Sequence, residues 1–272
     1  MKRMCRWAAY RGTPIPLEQI VSAPGHSLIE QSHHATEAKT ATNGDGFGIA
    51  WYGEHTEPGL YRDVLPAWSD CNLKSLARQI RSPLFLAHVR ASTGGATSRD
   101  NCHPFVHGNW SFMHNGQIAG FEKIRRPMEA ALSDRLYQAR HGTTDSELLF
   151  LLAIEFGLEK DPATAFGEAI RFALAESARA GVRELVRFTA AFSDGQTLHA
   201  IRYSNDAFAP TLYSAPTCNN QGHCLVSEPF KDTDTKWHEI PAGSIVTLTA
   251  GGISSARFSP LQAEAVKVAE VA

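Results

Sequence analysis

Four places in the first 150 residues carry side chains that could do chemistry together: Cys5, the run His88-Val89-Arg90-Ala91-Ser92-Thr93, the triplet His114-Asn115-Gly116, and Asp145. Each has a plain structural reading when taken singly. A thiol such as Cys5 packs as a small hydrophobe, and Arg90 can end a strand in an ion pair. Asn115-Gly116 is the signature of a type I′ hairpin turn, and Asp145 suits the positive end of a helix dipole. In combination they match the demands of glutamine chemistry. A guanidinium grips an α-carboxylate bidentately, a carboxylate holds an α-ammonium, and a thiol attacks the side-chain amide carbon. The oxyanion that develops needs preorganised donors, which an Asn amide and a Gly backbone N–H can supply.

Other candidates fall short of a site. Gly44-Asp45-Gly46-Phe47-Gly48 has the look of a phosphate-binding loop, but a strand is predicted after it and no helix N-terminus is available. It reads as a turn. Cys218 and Cys224 with His223, and His103 with His107, do not complete a four-ligand zinc pattern, so no metal is expected. His33-His34 is expected to be exposed. An ordinary Cys–His hydrolase would need a histidine placed to activate Cys5.

The elements that must position these residues follow from pattern. A strand is predicted over 4–10 and a short helix over 17–23; Asn43-Gly44-Asp45-Gly46 is a turn feeding a strand over 47–52, with 60–65 as its hairpin partner. A helix is predicted over 73–80, and strands over 84–90 and 110–114, the latter closed by Asn115-Gly116. Thr144-Asp145-Ser146-Glu147 reads as a capping box opening a helix over 148–156, which Gly157 ends. Asp161-Pro162 caps a second helix, whose Phe166, Ile170, Ala173 and Leu174 keep helical spacing up to Gly181. Strands return over 185–192, 198–203, 211–214, 224–227 and 244–248, with Asp194-Gly195 turning the first into the second. Strands, then helices, then strands argue for one layered α+β domain.

Composition narrows the partners. With 272 residues, 43% hydrophobic, the chain can bury a substantial core. Its 26 Lys and Arg against 28 Asp and Glu, without long like-charge blocks, exclude a nucleic-acid footprint and a polybasic membrane patch. Small molecules or another protein remain. Arg6 and Arg11 interrupt any signal-peptide core, and the longest apolar run, 148–154, is far below the roughly 20 residues of a membrane span. Five cysteines, an odd and sparse set, predict a free thiol and a reducing, cytoplasmic setting.

Six motifs in order, Met4-Cys5-Arg6, Asn43-Gly44-Asp45-Gly46-Phe47-Gly48, His88-Val89-Arg90-Ala91-Ser92-Thr93, Asn101-Cys102-His103-Pro104-Phe105, His114-Asn115-Gly116 and Thr144-Asp145-Ser146-Glu147, together resemble the class II glutamine amidotransferases. Ser227-Glu228-Pro229, Trp237 and Pro241-Ala242-Gly243 are similar to the short stand-alone branch, which includes a γ-glutamyl amidohydrolase of ergothioneine biosynthesis. The resemblance implies a four-layer αββα N-terminal-nucleophile hydrolase fold over 4–250, with 251–272 as a C-terminal tail. It implies Cys5 as nucleophile, with its own freed α-amine as general base, since an amine of pKa near 8 can take a thiol proton. Arg90, with Thr93 nearby, would bind the α-carboxylate and Asp145 the α-ammonium, while Asn115 and Gly116 would form the oxyanion hole. No cofactor is implied.

A free amine on Cys5 requires that Met1–Met4 be absent from the mature chain, and translation from Met4 followed by aminopeptidase action is the expected route. If Cys5 stays capped, the expectation becomes a catalytically silent regulatory module that binds glutamine or a γ-glutamyl compound. Ala91 stands where many family members carry a large aromatic residue. No synthase domain is expected after the glutaminase-like region, so ammonia would pass to a separate synthase, or hydrolysis is itself the purpose.

Overall fold

A computed structural model describes residues 5–34, 42–92, 97–217, 222–231 and 235–260. In chain order the first part holds β1 (Arg6–Pro16), α1 (Glu18–Val21), α2 (Leu28–His33), β2 (Phe47–Tyr52), β3 (Gly59–Asp63), α3 (Cys71–Gln79) and β4 (Arg81–Val89). The middle holds β5 (Phe105–His107), β6 (Trp110–Ile118), α4 (Phe121–Glu129), α5 (Asp134–Gln138), α6 (Asp145–Glu155) and α7 (Pro162–Arg179). The last part is all strand: β7 (Val186–Ser193), β8 (Leu198–Ser204), β9 (Tyr213–Pro216), β10 (Gly222–Val226), β11 (His238–Glu239), β12 (Ser244–Thr249) and β13 (Gly252–Arg257).

The strands form two antiparallel sheets, ordered β11-β9-β10-β1-β4-β2-β3 and β13-β12-β8-β7-β6-β5. Alternation along each strand makes three cores. Trp7 and Ala9 of β1, Leu84 and Leu86 of β4, and Met113 and Ala191 of the second sheet fill the space between the sheets. Ala8, Tyr10, Phe85 and Ala87 point the other way, onto Ile20, Leu28 and Leu73 of α1, α2 and α3. Phe112, Phe188 and Phe192 point outward from the second sheet onto Ile124, Phe150 and Phe166 of α4, α6 and α7. The result is the expected four-layer αββα sandwich.

Local signals account for the long helices. Asp161 accepts from Ala163 N and Thr164 N, both at 3.1 Å, with Pro162 at the first helical position of α7. Thr144 Oγ1 accepts from Glu147 N at 3.2 Å. The reciprocal arm of the expected capping box is absent, because the Glu147 carboxylate accepts instead from His141 N at 3.0 Å and Gly142 N at 2.8 Å. Gly157 and Gly181 follow the two helices at φ +92° and +61°, where a Cβ would strain the backbone.

Two sequence expectations are corrected. Asn115-Gly116 does not turn: β6 runs straight through it, paired with β7 from Ser111↔Ser193 to Ile118↔Val186. Eight consecutive ladder pairs outweigh a dipeptide preference, and the chain turns later, at Gly120 with φ +69°. A further strand, β13, pairs with β12 from Ser244↔Arg257 to Thr249↔Gly252, so the second sheet continues past residue 250. No helix among the described residues is long and apolar enough to cross a membrane.

Candidate active site

The first half of the site lies at one end of the first sheet. Cys5 immediately precedes β1 and shares the inward parity of Trp7 and Ala9. Its half-buried Sγ accepts from Ala91 N at 3.4 Å and contacts Ala91 O at 3.7 Å. Arg90 continues the inward parity of Leu84 and Leu86 one step beyond β4. The Asn43-Gly44-Asp45-Gly46 turn clasps it: Arg90 N donates to Gly46 O at 2.8 Å, and Asp45 N donates to Arg90 O at 3.1 Å. The guanidinium donates to Asp45 O and Ser92 Oγ, both at 3.3 Å, while Asp45 Oδ2 accepts from Ser92 N at 2.7 Å. Arg90 is 5% exposed, and no carboxylate forms an ion pair with it among the described residues. A buried charge without a counterion is costly, and binding an anion removes that cost.

The second half belongs to the facing sheet, where β6 packs against β1 and β4. Asn115 and Gln117 share the inward parity of Met113. The Asn115 Nδ2 and Gln117 Nε2 atoms are both buried and have no hydrogen-bond partner among the described residues. Gly116 is exposed, and a Cβ there would stand 1.9 Å from Arg187 O and 2.4 Å from His114 Nε2, so only glycine fits. Asp145, half-buried at the start of α6, accepts from Ile118 N at 2.8 Å and from the Ser146 hydroxyl at 3.3 Å. The first of these bonds ties the helix start to the end of the strand carrying Asn115 and Gly116.

Cys5 and Arg90 thus lie together at one end of the first sheet, and Asn115, Gly116 and Asp145 lie together on the facing sheet, whereas Thr93 lies outside the described residues. Sequence reasoning misses two residues. Asp45 reads there only as part of a turn, yet it is what holds Ser92 beside Arg90. Gln117 carries a signal that is legible only once the strand is known to be uninterrupted, being two residues from Asn115 and hence on the same face.

Burial pushes the Cys5 thiol up from its ordinary pKa, and the Ala91 N–H and the Arg90 and Arg6 cations oppose it. No histidine bonds to Cys5 among the described residues. Three nearby histidines are instead sealed in the core. The His88 and His103 rings pack with centroids 4.3 Å apart at a 32° tilt, and His114 Nδ1 pairs with Ser146 Oγ at 2.9 Å. Burial lowers His88 to about 3, His103 well below the ordinary imidazole value, and His114 below it against the pull of Asp145. None is a base suited to a Cys–His hydrolase. No group of three or more His, Cys, Asp or Glu side chains could hold a metal among the described residues.

These histidines make acid lability an expected outcome. Folded, all three take protons less readily than a free imidazole, His88 only near pH 3; unfolded, they take protons below about pH 6.5, so the unfolded state binds more protons there and stability falls as pH drops. Each can contribute a slope of up to ~1.4 kcal/mol per pH unit. Thermal unfolding from pH 7.5 to 5 should show Tm falling below about pH 6.5; a flat profile would mean that the imidazoles are not held neutral.

Comparison with known proteins agrees with this fold. A family model described as glutamine amidotransferases class-II matches residues 26–217. "Probable glutamine amidotransferase DUG3" of Saccharomyces cerevisiae is 33% identical over 90% of this chain and 82% of its own length. "Gamma-glutamyl-hercynylcysteine sulfoxide hydrolase" of Mycolicibacterium smegmatis is 28% identical over 89% of this chain and 95% of its own. The solved structure of a glutamine aminotransferase class-II domain protein from Silicibacter pomeroyi superposes with a TM-score of 0.77 at 44% identity, covering 94% of this chain and 99% of that one. A glutamine phosphoribosylpyrophosphate amidotransferase from B. subtilis shares the fold at TM-score 0.62 and 14% identity, over 94% of this chain and 49% of its own. With an N-terminal-nucleophile sandwich, a family model that matches most of its length and a relative 33% identical over 90% of it, the chain belongs to the class II glutamine amidotransferase family of enzymes.

Proposed function

We propose that this enzyme hydrolyses the γ-amide of glutamine or of a γ-glutamyl conjugate, with Cys5 as nucleophile. The observation that carries the reading is a pair of unmet demands on the two facing sheets: a buried Arg90 with no ion-pair partner among the described residues, and an Asn115 amide nitrogen with no acceptor there. A substrate α-carboxylate meets the first and a developing oxyanion meets the second. Asp145 receives the α-ammonium, and Thr93 assists Arg90.

The thiol proton passes to the freed α-amine of Cys5 as sulfur bonds to the amide carbon. Asn115 Nδ2 and the Gly116 N–H hold the resulting oxyanion. Collapse breaks the C–N bond, and the protonated α-amine returns its proton to the leaving ammonia or amine. Water then attacks the γ-glutamyl thioester, giving one proton to the α-amine; the C–S bond breaks, and that proton returns to sulfur as glutamate departs. The similarity to a γ-glutamyl-hercynylcysteine sulfoxide hydrolase supports a conjugate substrate. The sparse cysteines support a reducing, cytoplasmic setting for the thiol. If ammonia is instead delivered to a separate synthase, glutaminase activity should be low alone and rise when that partner is added.

The test is a hydrolysis panel of glutamine and γ-glutamyl peptides on protein whose mature N-terminus has been fixed by mass. Turnover by a chain beginning at Cys5 supports the reading; a mature chain that still begins at Met1 and shows no turnover favours the silent binding module. Arg90→Lys should raise KM at least about tenfold with a smaller change in kcat, because a point charge cannot reproduce bidentate carboxylate recognition. An unchanged KM would move the carboxylate anchor elsewhere.

A further inference from the structure

Directly behind Cys5, on the face of β1 turned toward α1 and α2, lies a buried charged cluster that the reaction above does not use. Arg6 and Glu228 are 0% and 1% exposed, with Arg6 Nε donating to Glu228 Oε2 at 2.7 Å. His26 Nε2 lies 2.5 Å from the other carboxylate oxygen. The same guanidinium reaches back through Nη1 to the Cys5 carbonyl at 2.8 Å. Gln31 Nε2 ties the far side together, donating to His26 O at 3.0 Å and Glu228 O at 3.2 Å. Next to Glu228, Ser227 N donates to Trp7 O at 3.0 Å while Trp7 N donates to Ser227 Oγ at 2.9 Å. His26 is at φ +55°, the one non-glycine residue in left-handed backbone among the described residues.

Buried ion pairs are poor sources of stability compared with apolar packing of the same volume, and strained backbone persists only where its surroundings over-determine it. Three chain segments converge here, and what their polar network reaches is the backbone of Cys5. As a first residue, Cys5 would have no preceding peptide to anchor it, and chain ends fray unless tied down. Nucleophilic attack tolerates little such freedom, since a misplacement of about 1 Å can cost on the order of 100-fold in rate.

We propose that Glu228, braced by His26, is a positioning residue that acts through Arg6 to fix the Cys5 carbonyl and with it the approach of the thiol to the amide carbon. This rests on Cys5 being the nucleophile. The test uses the mature enzyme and the electrophilic glutamine analogue 6-diazo-5-oxo-L-norleucine, with the inactivation rate constant and the inhibitor affinity measured separately, beside steady-state kinetics. Glu228→Gln should lower both the inactivation rate constant and kcat by about 10- to 100-fold. KM and inhibitor affinity should stay within about threefold, because Arg90 and Asp145 are untouched. A merely structural role would lower the amount of folded enzyme and leave the rate constant per folded molecule unchanged. His26→Asn, at the rim of the cluster, should move the same constant in the same direction by less. A wild-type inactivation rate in folded Glu228→Gln would overturn the proposal, and failure of both variants to fold would make the cluster a stability element and overturn it too. Turnover by Cys5→Ala would instead overturn the nucleophile reading beneath it.

Discussion

Alanine at position 5 is expected to lower γ-amide hydrolysis by more than about 1,000-fold while leaving the fold intact. The thiol is the proposed bond-forming atom, and binding through Arg90 together with the oxyanion donors supplies only the remaining acceleration. Cys5 is half-buried ahead of β1 and outside the hydrophobic clusters, so trimming its sulfur should cost less than about 1 kcal/mol in stability. Circular dichroism and Tm should therefore match the parent. The environment sets a second expectation for the same residue. Burial raises the thiol pKa, so a chain retaining Met4 should be alkylated slowly by iodoacetamide at pH 7, and the rate should climb as pH rises. A chain beginning at Cys5 carries a neighbouring α-amine able to take the proton, and should react faster at the same pH. Equal hydrolysis by Cys5→Ala and the parent would remove Cys5 from the mechanism. Equal alkylation of the two N-terminal forms would remove the α-amine as base.

How much of the molecule is legible in its sequence depends on the range of the interactions that decide each feature. The strand over 47–52, its hairpin partner and the Asp161-Pro162 helix start depend on neighbours in sequence, and all appear as expected. The four-layer arrangement is legible because strand runs flank a pair of apolar helices and because six motifs in order resemble a family with that fold. Asn115-Gly116 misleads because a turn preference is local, whereas the eight pairs joining β6 to β7 come from residues 68 to 82 positions away. α4 escapes notice because Pro127 sits within it, and its burial depends on Phe121, Ile124 and Met128 packing in the same cluster as α7. Candidate residues are identifiable by type, but their mutual placement is not. The clasp of Asp45 on Ser92 and Arg90, and the parity that puts Gln117 beside Asn115, exist only once the strands are registered.

Asn115→Ala should lower kcat by about 100- to 1,000-fold with little change in KM, the loss expected when one preorganised oxyanion donor is removed. The stability side of the prediction makes it specific. In the free enzyme Asn115 Nδ2 is buried without an acceptor among the described residues, so it carries a desolvation cost that no bond there offsets. Deleting it should leave Tm unchanged or slightly raised, whereas truncating a buried amide that braces its surroundings would lower it. Asn115→Asp separates charge from shape, because it keeps the size of the side chain but presents oxygen where the donor stood. An ionised carboxylate would repel the oxyanion, so this variant should be at least as slow as the alanine variant, although it differs from the parent by one group. Steady-state kinetics and thermal unfolding on the same preparations measure both effects. A kcat within about threefold of the parent in Asn115→Ala would assign the orphaned amide to something other than the oxyanion. A large fall in Tm would make it a structural donor.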